Sequence, residues 1–549
     1  MRRRATALGQ RRTHVVPICP SELVARWEER TYVLKYDMEF PRHKFLHDLV
    51  RHAGSVERAA KAINMQPKTF RRRLALTEEE LQRTAINLEE WRIAAEEFNI
   101  PLGEADKPRP LWDAHLSYVE NRALTPPTLP HIPPLPDLHV PFLGYDLMSC
   151  FGAGAGVVSA DSGRAEYLFY ANCAVVTLKT VRSRFYPALP PPNLLYCAAD
   201  TPFVDPDHLP EKVIVGDTGD GHMAHAGTVN QFRIPSLGPE QLLIDLRRAR
   251  KAAAANQLLI TSVVGTSDRG DASEIADDFV RTVQIGVNAG IDVFELNFSC
   301  PTDTAVSEII TVPGLPERIA TAVRAAARSV KLLIKLPYLD AKAYEAVILD
   351  TAAYVDGYTA INSLPVKAMR NAGPHGVVPA FSAGEYAGLA GRPILECGLR
   401  AARELVAIRS RNHLTSKVII GMGGVTAPAD VISYRELGVD LVQAVSIFHE
   451  DPLFAVKVHE ELARHERQER RGRDADLETV WHNLGAAVRA LEKRGFDGRK
   501  VAAAASQRYS ELRDEYAQMG ASPRRSRIRS VAELVRDLEY RVRSSRSPQ

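Results

Sequence analysis

Short apolar runs alternate with stretches of helical periodicity from about residue 143 to about residue 465. The helical stretches, such as residues 239–255 and 272–288, are rich in alanine and arginine. Eight apolar runs read as strands, the second being the weakest: residues 173–179, 228–232, 258–264, 293–299, 332–336, 355–362, 417–424 and 441–446. Eight strand–helix units favour an α/β fold closed into a (β/α)8 TIM barrel over an open doubly wound sheet.

The chain before the barrel is predicted to be a helical domain that ends near residue 124. Around residues 45–75 the pattern predicts three short helices, at residues 45–50, at residues 56–63 with Ser55 as the cap, and at residues 67–74. Residues 78–122 read as further helix. Many prolines fall within residues 125–142, which are predicted to form an extended linker. The barrel is then expected to span residues 143–465.

Residues 466–549 are predicted to form a basic helical C-terminal extension. Its last helix carries one apolar stripe, formed by Val531, Leu534, Val535, Leu538 and Val542. We expect this stripe to pack on the protein itself or on a second subunit, so a homodimer is one expectation. The arginine-rich run at residues 524–529 is interpreted as a solvated face.

The composition narrows the class of protein. Of the 549 residues 45% are apolar and 25% are charged, as in globular proteins, and the net charge of +3 argues against nucleic-acid binding by the whole molecule. The six cysteines lie far apart without a CxxC pair, so no metal site is expected and a reducing compartment is indicated. With no apolar run of membrane-spanning length and no secretory signal pattern, the prediction is a cytoplasmic protein that has no membrane contact.

The strongest candidate chemistry lies in residues 293–301, where an apolar run ends in Asn297, Ser299, Cys300 and Pro301. Reactive groups of parallel α/β proteins collect where strands end and loops begin. Cys300 would then be a base or nucleophile, and Asn297 would be a fixed donor and acceptor. The alternative is that Cys300 is a small buried apolar residue, which is the commonest state of a free cysteine.

Polar residues stand at the ends of most other predicted strands as well. Two of the predicted strands end in lysines, Lys179 and Lys335. A lysine there would be costly to bury without an anionic or electron-rich partner. Amides and small residues end the others: Asn230, Asn362, Ser363, Gly423, Gly424, Gln443 and Ser446. Barrels commonly bind phosphate with the loops after their seventh and eighth strands. A planar cofactor that carries a phosphate is therefore indicated.

Six motifs in this order resemble the dihydroorotate dehydrogenase family and the related FMN domain of dihydropyrimidine dehydrogenase. The resemblance covers about residues 151–462 and is carried by ELNFSCP at 295–301, IKLP at 334–337, INS at 361–363, GLAG at 388–391, IGMGGV at 420–425 and GVDLVQ at 438–443. It implies an FMN-dependent oxidoreductase of pyrimidine metabolism, similar to the class 1 enzymes.

The resemblance also implies a role for each candidate residue. Cofactor binding would fall to Gly154, Ala155, Lys179, Asn297, Lys335, Gly391, Gly423, Gly424 and Ser446. A pyrimidine-like substrate would be held by Asn230, Asn297, Asn362, Ser363 and Arg233. Cys300 matches the base of the cytosolic members, and Lys179 matches a lysine between flavin and substrate.

Three departures from the family pattern concern the substrate and the phosphate. The family's dihydroorotate enzymes follow Cys-Pro with an asparagine, where this chain has Thr302. The loop after Asn230 usually offers small residues, but here it includes Arg233, which would either pair with an anionic substrate or block the usual one. The last strand has Val445 where a glycine usually precedes the hydroxyl. Dihydroorotate and a close analogue both stay open as substrates.

Residues 45–75 resemble the helix-turn-helix of the Fis-type activator family, with Ala59 and Ala60 at the close helix contact. The third helix is basic and offers Lys68, Thr69, Arg71, Arg72 and Arg73 to a major groove or to phosphates. A helical packing or dimerisation module that does not bind DNA is the alternative. For the whole chain, the leading hypothesis is an enzyme, and the alternatives are a flavin- or pyrimidine-sensing DNA-binding regulator and an assembly scaffold.

Overall fold

The computed structural model describes residues 42–53, 55–63, 65–75, 111–114, 116–124, 126, 132, 135–198, 200–216, 227–268, 271–373, 376–518 and 530–544. The helix predicted over residues 78–122 lies largely outside these ranges, as do most of residues 125–134 and the arginine-rich run at 524–529. The chain divides into two compact units, residues 1–109 and residues 110–549.

In the first unit, three helices lie at the predicted positions: α1 (Arg42–Ala53), α2 (Val56–Ala62) and α3 (Pro67–Leu74). Ser55 begins α2, because its hydroxyl accepts a hydrogen bond from the backbone N–H of Arg58 at 3.2 Å. Each helix buries apolar side chains, namely Leu46, Leu49, Ala59, Ala60 and Phe70. Lys68, Arg71 and Arg72 are exposed on α3.

The strands of the second unit are, in chain order, β1 (Val140–Phe142), β2 (Tyr145–Leu147), β3 (Phe151–Ala153), β4 (Val175–Val181), β5 (Leu194–Tyr196), β6 (Lys212–Ile214), β7 (Gly227–Asn230), β8 (Leu258–Val263), β9 (Val293–Asn297), β10 (Lys331–Leu336), β11 (Gly357–Ala360), β12 (Leu364–Asn371), β13 (Val377–Pro379), β14 (Tyr386–Gly391), β15 (Val418–Met422) and β16 (Leu441–Ala444). Eight of them, in the order β10-β11-β15-β16-β3-β4-β8-β9, form a closed parallel barrel. The predicted TIM-barrel fold is confirmed.

One barrel strand differs from the sequence prediction. The first strand is β3, which was not predicted, whereas the weak run at residues 228–232 forms β7 outside the barrel. A three-residue strand that contains a glycine is too short to show an apolar pattern. The glycine is required by close strand pairing, since a Cβ on Gly152 would lie 1.9 Å from the carbonyl oxygen of Val175.

A second sheet of six strands lies outside the barrel, with the order β13-β12-β14-β7-β5 and with β6 paired to β12. In it β7 and β14 run antiparallel, with Asn230 opposite Gly388 and Gly227 opposite Gly391. Residues of this sheet, Asn230 and Gly391 among them, line the cavity at the carboxyl ends of the barrel strands. The sheet therefore forms part of the cavity wall. At the other end of the barrel, Phe142 and Leu147 of the β1–β2 hairpin pack on inward-facing apolar residues such as Val175.

The helices of the second unit are α4 (Tyr118–Ala123), α5 (Ser162–Tyr170), α6 (Pro239–Ala252), α7 (Ala272–Asn288), α8 (Thr304–Ser307), α9 (Leu315–Ala326), α10 (Ala341–Thr351), α11 (Leu395–Arg411), α12 (Pro428–Glu436), α13 (Phe454–Glu492), α14 (Gly498–Gln518) and α15 (Val531–Ser544). Between strands of the barrel they cover its outer face, where residues such as Phe279, Phe294 and Leu405 are buried in one large apolar core.

The last three helices pack together. Leu534, Leu538 and Val542 of α15 are buried against residues of α13 and α14, such as Leu484 and Val501. The apolar stripe thus packs on the chain itself. The domain boundary expected at residue 465 falls within α13, which is one continuous helix. No helix in the described part of the chain has the length and apolar character needed to cross a membrane.

Candidate functional site

A cavity opens at the carboxyl ends of the barrel strands and encloses about 1030 Å³, part of it open to solvent. Parallel strands bring their carboxyl ends to one side of a barrel, so residues that are distant in sequence meet there. The candidate residues that line it are Ala155, Lys179, Asn230, Arg233, Asn297, Cys300, Lys335, Asn362, Ser363, Gly391, Gly423, Gly424 and Ser446. Gly154 is not among the lining residues. A Cβ on Gly154 would lie 2.5 Å from Cε of Met422, so this position serves close packing beneath the cavity.

Two lysines face the cavity, Lys179 from β4 and Lys335 from β10. Burial lowers the pKa of Lys179 to about 8, and the nearby charge of Lys335 lowers it as well, while Cys300 raises it. Burial also lowers the pKa of Lys335, which is 2% exposed. Neither lysine forms an ion pair with a carboxylate in the described part of the chain. Buried ammonium groups in this state favour an anionic or electron-rich ligand.

A buried carboxylate, Glu295, lies inside the barrel on β9. Lys335 stands opposite Asn297 and Leu333 opposite Glu295, so alternation along the strands places Glu295 one layer below Asn297. Neither carboxyl oxygen of Glu295 has a hydrogen-bond partner among the described residues. Its negative charge raises the pKa of Lys335 and thereby opposes the effect of burial. Glu295 therefore helps to keep Lys335 protonated.

Cys300 follows the end of β9 and is 8% exposed at the cavity wall. Burial raises the pKa of its thiol, and the charge of Asp303 raises it too. A hydrogen bond from Thr302 and the charge of Lys179 act in the opposite direction. The sulfur thus faces a space that a ligand can enter, with an ammonium group and a hydroxyl nearby.

Three asparagines surround the same space with their side chains held by the protein. Asn297 donates to the Thr180 hydroxyl at 3.0 Å and accepts from the backbone N–H of Ser299 at 3.0 Å. Asn362 donates to the carbonyl of Ser299 at 2.5 Å, and Asn230 donates to the carbonyl of Gly388 at 3.0 Å. An amide side chain has two donor hydrogens and two acceptor lone pairs. Each asparagine therefore keeps both donor and acceptor capacity for a ligand.

The opposite end of the cavity is built for a close approach to backbone. Gly423 and Gly424 after β15 have φ values of +122° and +76°, and a Cβ on Gly424 would lie 2.3 Å from Cα of Leu395. Successive backbone N–H groups in such a turn form an anion-binding concavity. Ser446 and Thr228 add hydroxyls there, with their oxygens 3.4 Å apart. These residues fit a phosphate group, and the two lysines fit the electron-rich ring of a flavin.

Several lining residues were missed by the sequence analysis. His449 lies in the same short 3-10 turn as Ser446, is 2% exposed, and has its pKa lowered by burial to about 4, so its imidazole is neutral near pH 7. Its spacing of three residues from Ser446 is a signal that could have found it. Thr228 lies within a predicted strand but is not among the predicted site residues.

An aromatic wall was also missed, because no local pattern indicates it. Trp112 and Tyr118 pack on Phe232, with ring centroids 5.7 Å and 6.1 Å away, and Phe232 lines the cavity. The Lys179 ammonium lies 5.4 Å from the centroid of the Phe232 ring. Arg164 holds this segment on the barrel, since its guanidinium donates to the carbonyls of Leu111 at 3.0 Å and Asn121 at 2.6 Å.

Within the described ranges, no cluster of three or more His, Cys, Asp or Glu side chains has the arrangement of a metal site. The cysteines that the structure describes, Cys150, Cys173, Cys197, Cys300 and Cys397, are free thiols.

Comparison with known proteins shows which family the barrel resembles. Residues 222–465 match the profile of the dihydroorotate dehydrogenase family. The chain is 26% identical over 333 residues to a dihydroorotate dehydrogenase of Dictyostelium discoideum, covering 59% of this chain and 88% of that protein. It is 28% identical over 334 residues to a dihydroorotate dehydrogenase (quinone) of Clavibacter sepedonicus, with 60% and 86% covered. A third relative, the dihydroorotate dehydrogenase B (NAD(+)) catalytic subunit of Methanocaldococcus jannaschii, is 24% identical over 220 residues, with 40% and 66% covered. The barrel of this chain is thus similar to the dihydroorotate dehydrogenase family, and these matches support an FMN-dependent oxidoreductase that acts on CH–CH groups.

Proposed function

We propose that the barrel uses FMN to oxidise or reduce a carbon–carbon bond of a dihydropyrimidine, either dihydroorotate and orotate or a close analogue. The observation that carries this proposal is the meeting of Lys179, Cys300 and Lys335 around one cavity that also has a glycine-lined phosphate end. A regulator that only senses a ligand would need no base. The charged and nucleophilic groups therefore favour catalysis over the sensor or scaffold alternatives.

FMN, when bound, supplies a two-electron carrier that can take up or give up a hydride. Its phosphate would be held by Gly391, Gly423, Gly424 and Ser446, and Ala155 would line the cofactor site. Lys335 would neutralise negative charge that develops beside it, because its ammonium is buried and supported by Glu295. Asn297 would contact cofactor and substrate.

Cys300 would act as the base of a class 1-like enzyme and move one proton to or from a ring carbon of the substrate. Lys179 favours the thiolate form through its positive charge. Asn230, Asn297, Asn362 and Ser363 would hold the ring by the amide capacity they keep for a ligand. Arg233 is exposed at the cavity rim and would pair with a carboxylate of the substrate.

The test is to titrate the purified protein anaerobically, first with dihydroorotate and then with dihydrouracil. The flavin absorption is recorded throughout. Bleaching by one of them establishes the activity and selects the substrate class, and Cys300→Ser should slow the bleaching about a hundredfold or more. If Cys300→Ser bleaches as fast as the unchanged protein, Cys300 is not the base. A colourless protein that FMN cannot reconstitute would contradict the catalytic proposal.

As a second function, we infer that residues 42–75 bind DNA. What favours this is the exposed basic face of α3, formed by Lys68, Arg71 and Arg72, on a helix whose Phe70 is buried. A gel shift should weaken steeply with salt, because phosphate contacts release counter-ions. The triple change Lys68→Ala, Arg71→Ala and Arg72→Ala should abolish it, while Lys61→Ala on α2 should not. Equal shifts for both variants would contradict the inference.

Location and assembly remain our predictions. The free thiols of the described cysteines favour a reducing compartment, and we infer a cytoplasmic enzyme. The homodimer stays an expectation, which light scattering of the purified full-length chain would check.

A further inference from the structure

Thr302 occupies a position between the candidate base and the loop after β7. Its hydroxyl oxygen lies 3.6 Å from the Cys300 sulfur and 3.2 Å from the backbone nitrogen of Arg233. The two partners differ in what they can offer. A backbone N–H can only donate, whereas a thiolate can only accept.

The Arg233 contact can have only one direction, and the Cys300 contact has only one direction when the sulfur is a thiolate. The Thr302 oxygen accepts from Arg233, which leaves the single hydroxyl proton of Thr302 free to point at the Cys300 sulfur. A hydroxyl fixed as a donor stabilises the thiolate over the thiol, since hydrogen bonds to a charged group are stronger than those to a neutral one. If the Thr302 oxygen were not held in place, its hydroxyl would donate to the Cys300 sulfur for a smaller fraction of the time.

Arg233 has an uncommon backbone conformation at the position where its N–H contacts Thr302. Its φ of 57° lies in the left-handed region, which non-glycine residues seldom adopt because of the clash with Cβ. On the other side, the Arg233 guanidinium lies 3.4 Å from the Tyr186 hydroxyl. The loop thus brings the N–H of Arg233 onto Thr302 while its guanidinium stays at the rim of the cavity.

The charged groups around Cys300 oppose one another. Lys179 on β4 favours the thiolate, whereas Asp303 disfavours it. Asp303 is in turn paired with Arg182 at 2.5 Å, and Lys335 lies beyond Lys179 on β10. Cys300 is only 8% exposed, so water stabilises the charge of its thiolate little. A neutral donor that stays in contact with the sulfur therefore has a large share in setting the protonation of Cys300.

We propose that Thr302 is a positioning residue that favours the thiolate form of Cys300 over the thiol by donating a hydrogen bond to the sulfur while the backbone N–H of Arg233 holds its oxygen in place. The proposal deepens the proposed function and rests on it. Cys300 gains one proton from a substrate carbon and becomes a thiol, while Thr302 keeps its own proton throughout. Arg233 would link substrate recognition to the base, because it lines the rim of the cavity and its backbone N–H holds the Thr302 oxygen.

The test measures the thiolate directly. The full-length protein is alkylated with iodoacetamide across a pH series, and modification of the peptide that contains Cys300 is quantified by mass spectrometry. Thr302→Val keeps the branched shape and the backbone N–H but removes the hydroxyl, so we expect the midpoint of the alkylation profile to rise by about one to two pH units. Thr302→Ser keeps the hydroxyl and should restore the original midpoint.

Alkylation needs no turnover, so its outcome is independent of the substrate assignment. A Thr302→Val midpoint equal to that of the unchanged protein would overturn the role of Thr302, even if dihydroorotate bleaches the flavin. A raised midpoint that Thr302→Ser restores supports it, even if neither dihydropyrimidine bleaches the flavin. If Thr302→Val lowers the unfolding temperature, Thr302→Ala is compared as a second variant without the hydroxyl, and an unchanged midpoint there would overturn the proposal equally.

Discussion

At the scale of single residues, the site is defined by two buried ammonium groups that form no ion pair with any residue that the structure describes. Lys179 shows this most clearly, since burial lowers its pKa to about 8 and its ammonium faces the ring of Phe232. Lys335 has the partial support of Glu295, which lies below it in the barrel. Such groups are costly in the empty protein and become useful when a ligand supplies the missing charge.

This cost predicts a pH-dependent stability. A lysine whose pKa is lower in the folded chain than in the unfolded chain destabilises the fold below its folded pKa, and the penalty fades as pH rises towards the unfolded value near 10.5. Lys179→Met in the cofactor-free protein should therefore raise the free energy of unfolding at pH 7, by about 3 kcal/mol at most. At pH 10 most of the gain should be gone. Urea denaturation at the two pH values checks this, and an equal gain at both would contradict it.

At the scale of elements, the phosphate end depends on how the loop after β15 meets α11. Gly424 has both a left-handed backbone and no room for a side chain, because a Cβ there would lie 2.3 Å from Cα of Leu395. Gly314, which precedes α9, has a similar φ of +73° but nothing within 4 Å of an added Cβ. The two positions separate the cost of backbone conformation from the cost of crowding.

Gly424→Ala should therefore weaken FMN binding by about tenfold or more and lower the free energy of unfolding by about 3 kcal/mol. Gly314→Ala should lose only about 1 kcal/mol, from its backbone conformation, and should bind FMN normally. Fluorescence titration with FMN and urea denaturation measure the two effects. Equal losses in both variants would show that crowding at residue 424 is unimportant.

The segment at residues 111–124 depends on one buried side chain. Arg164 pairs with Asp161 at 2.5 Å and donates to two carbonyls of the segment. Arg164→Ala should destabilise the protein by about 3 kcal/mol or more, because it removes the guanidinium that pairs with the buried Asp161 carboxylate and donates to the two carbonyls.

The matched control for Arg164 is Arg281→Ala. Its side chain is 60% exposed and pairs with Asp278 at 3.0 Å, so a loss within about 1 kcal/mol is expected. Limited proteolysis should also cut Arg164→Ala within residues 111–124 sooner than the control. Resistance equal to that of the control would contradict the role given to Arg164.

At the scale of the whole molecule, the residues that line the cavity all belong to the unit of residues 110–549. The basic helix α3 belongs to the unit of residues 1–109. The proposed oxidoreductase and DNA-binding functions therefore draw on separate sets of residues, and each can be removed without changing the other's side chains.

A chain reduced to residues 110–549 should accordingly keep its FMN absorption spectrum and its bleaching by substrate, and should lose any salt-dependent DNA shift. Absorption spectroscopy and a gel shift on the shortened and full-length chains check both parts. Loss of the flavin spectrum in a shortened chain that still unfolds cooperatively would show that residues 1–109 contribute to cofactor binding.

The sequence by itself determined the barrel and seven of its strands, and all of the predicted site residues except Gly154 line the cavity, since buried parallel strands are continuous apolar runs and their carboxyl ends must converge. Residues such as Lys179, Cys300 and Lys335 could be found because each stands at the end of such a run. Only the tertiary structure decided which segments that are distant in sequence come into contact. The short strand β3, the place of β7 in a second sheet, and the wall formed by Trp112 and Tyr118 have no local pattern. The contact of Thr302 with Arg233 joins residues 69 positions apart. Glu295 becomes a buried carboxylate without a hydrogen-bond partner among the described residues only when the barrel closes around it. Neither could be predicted, because register and burial are properties of the assembled chain.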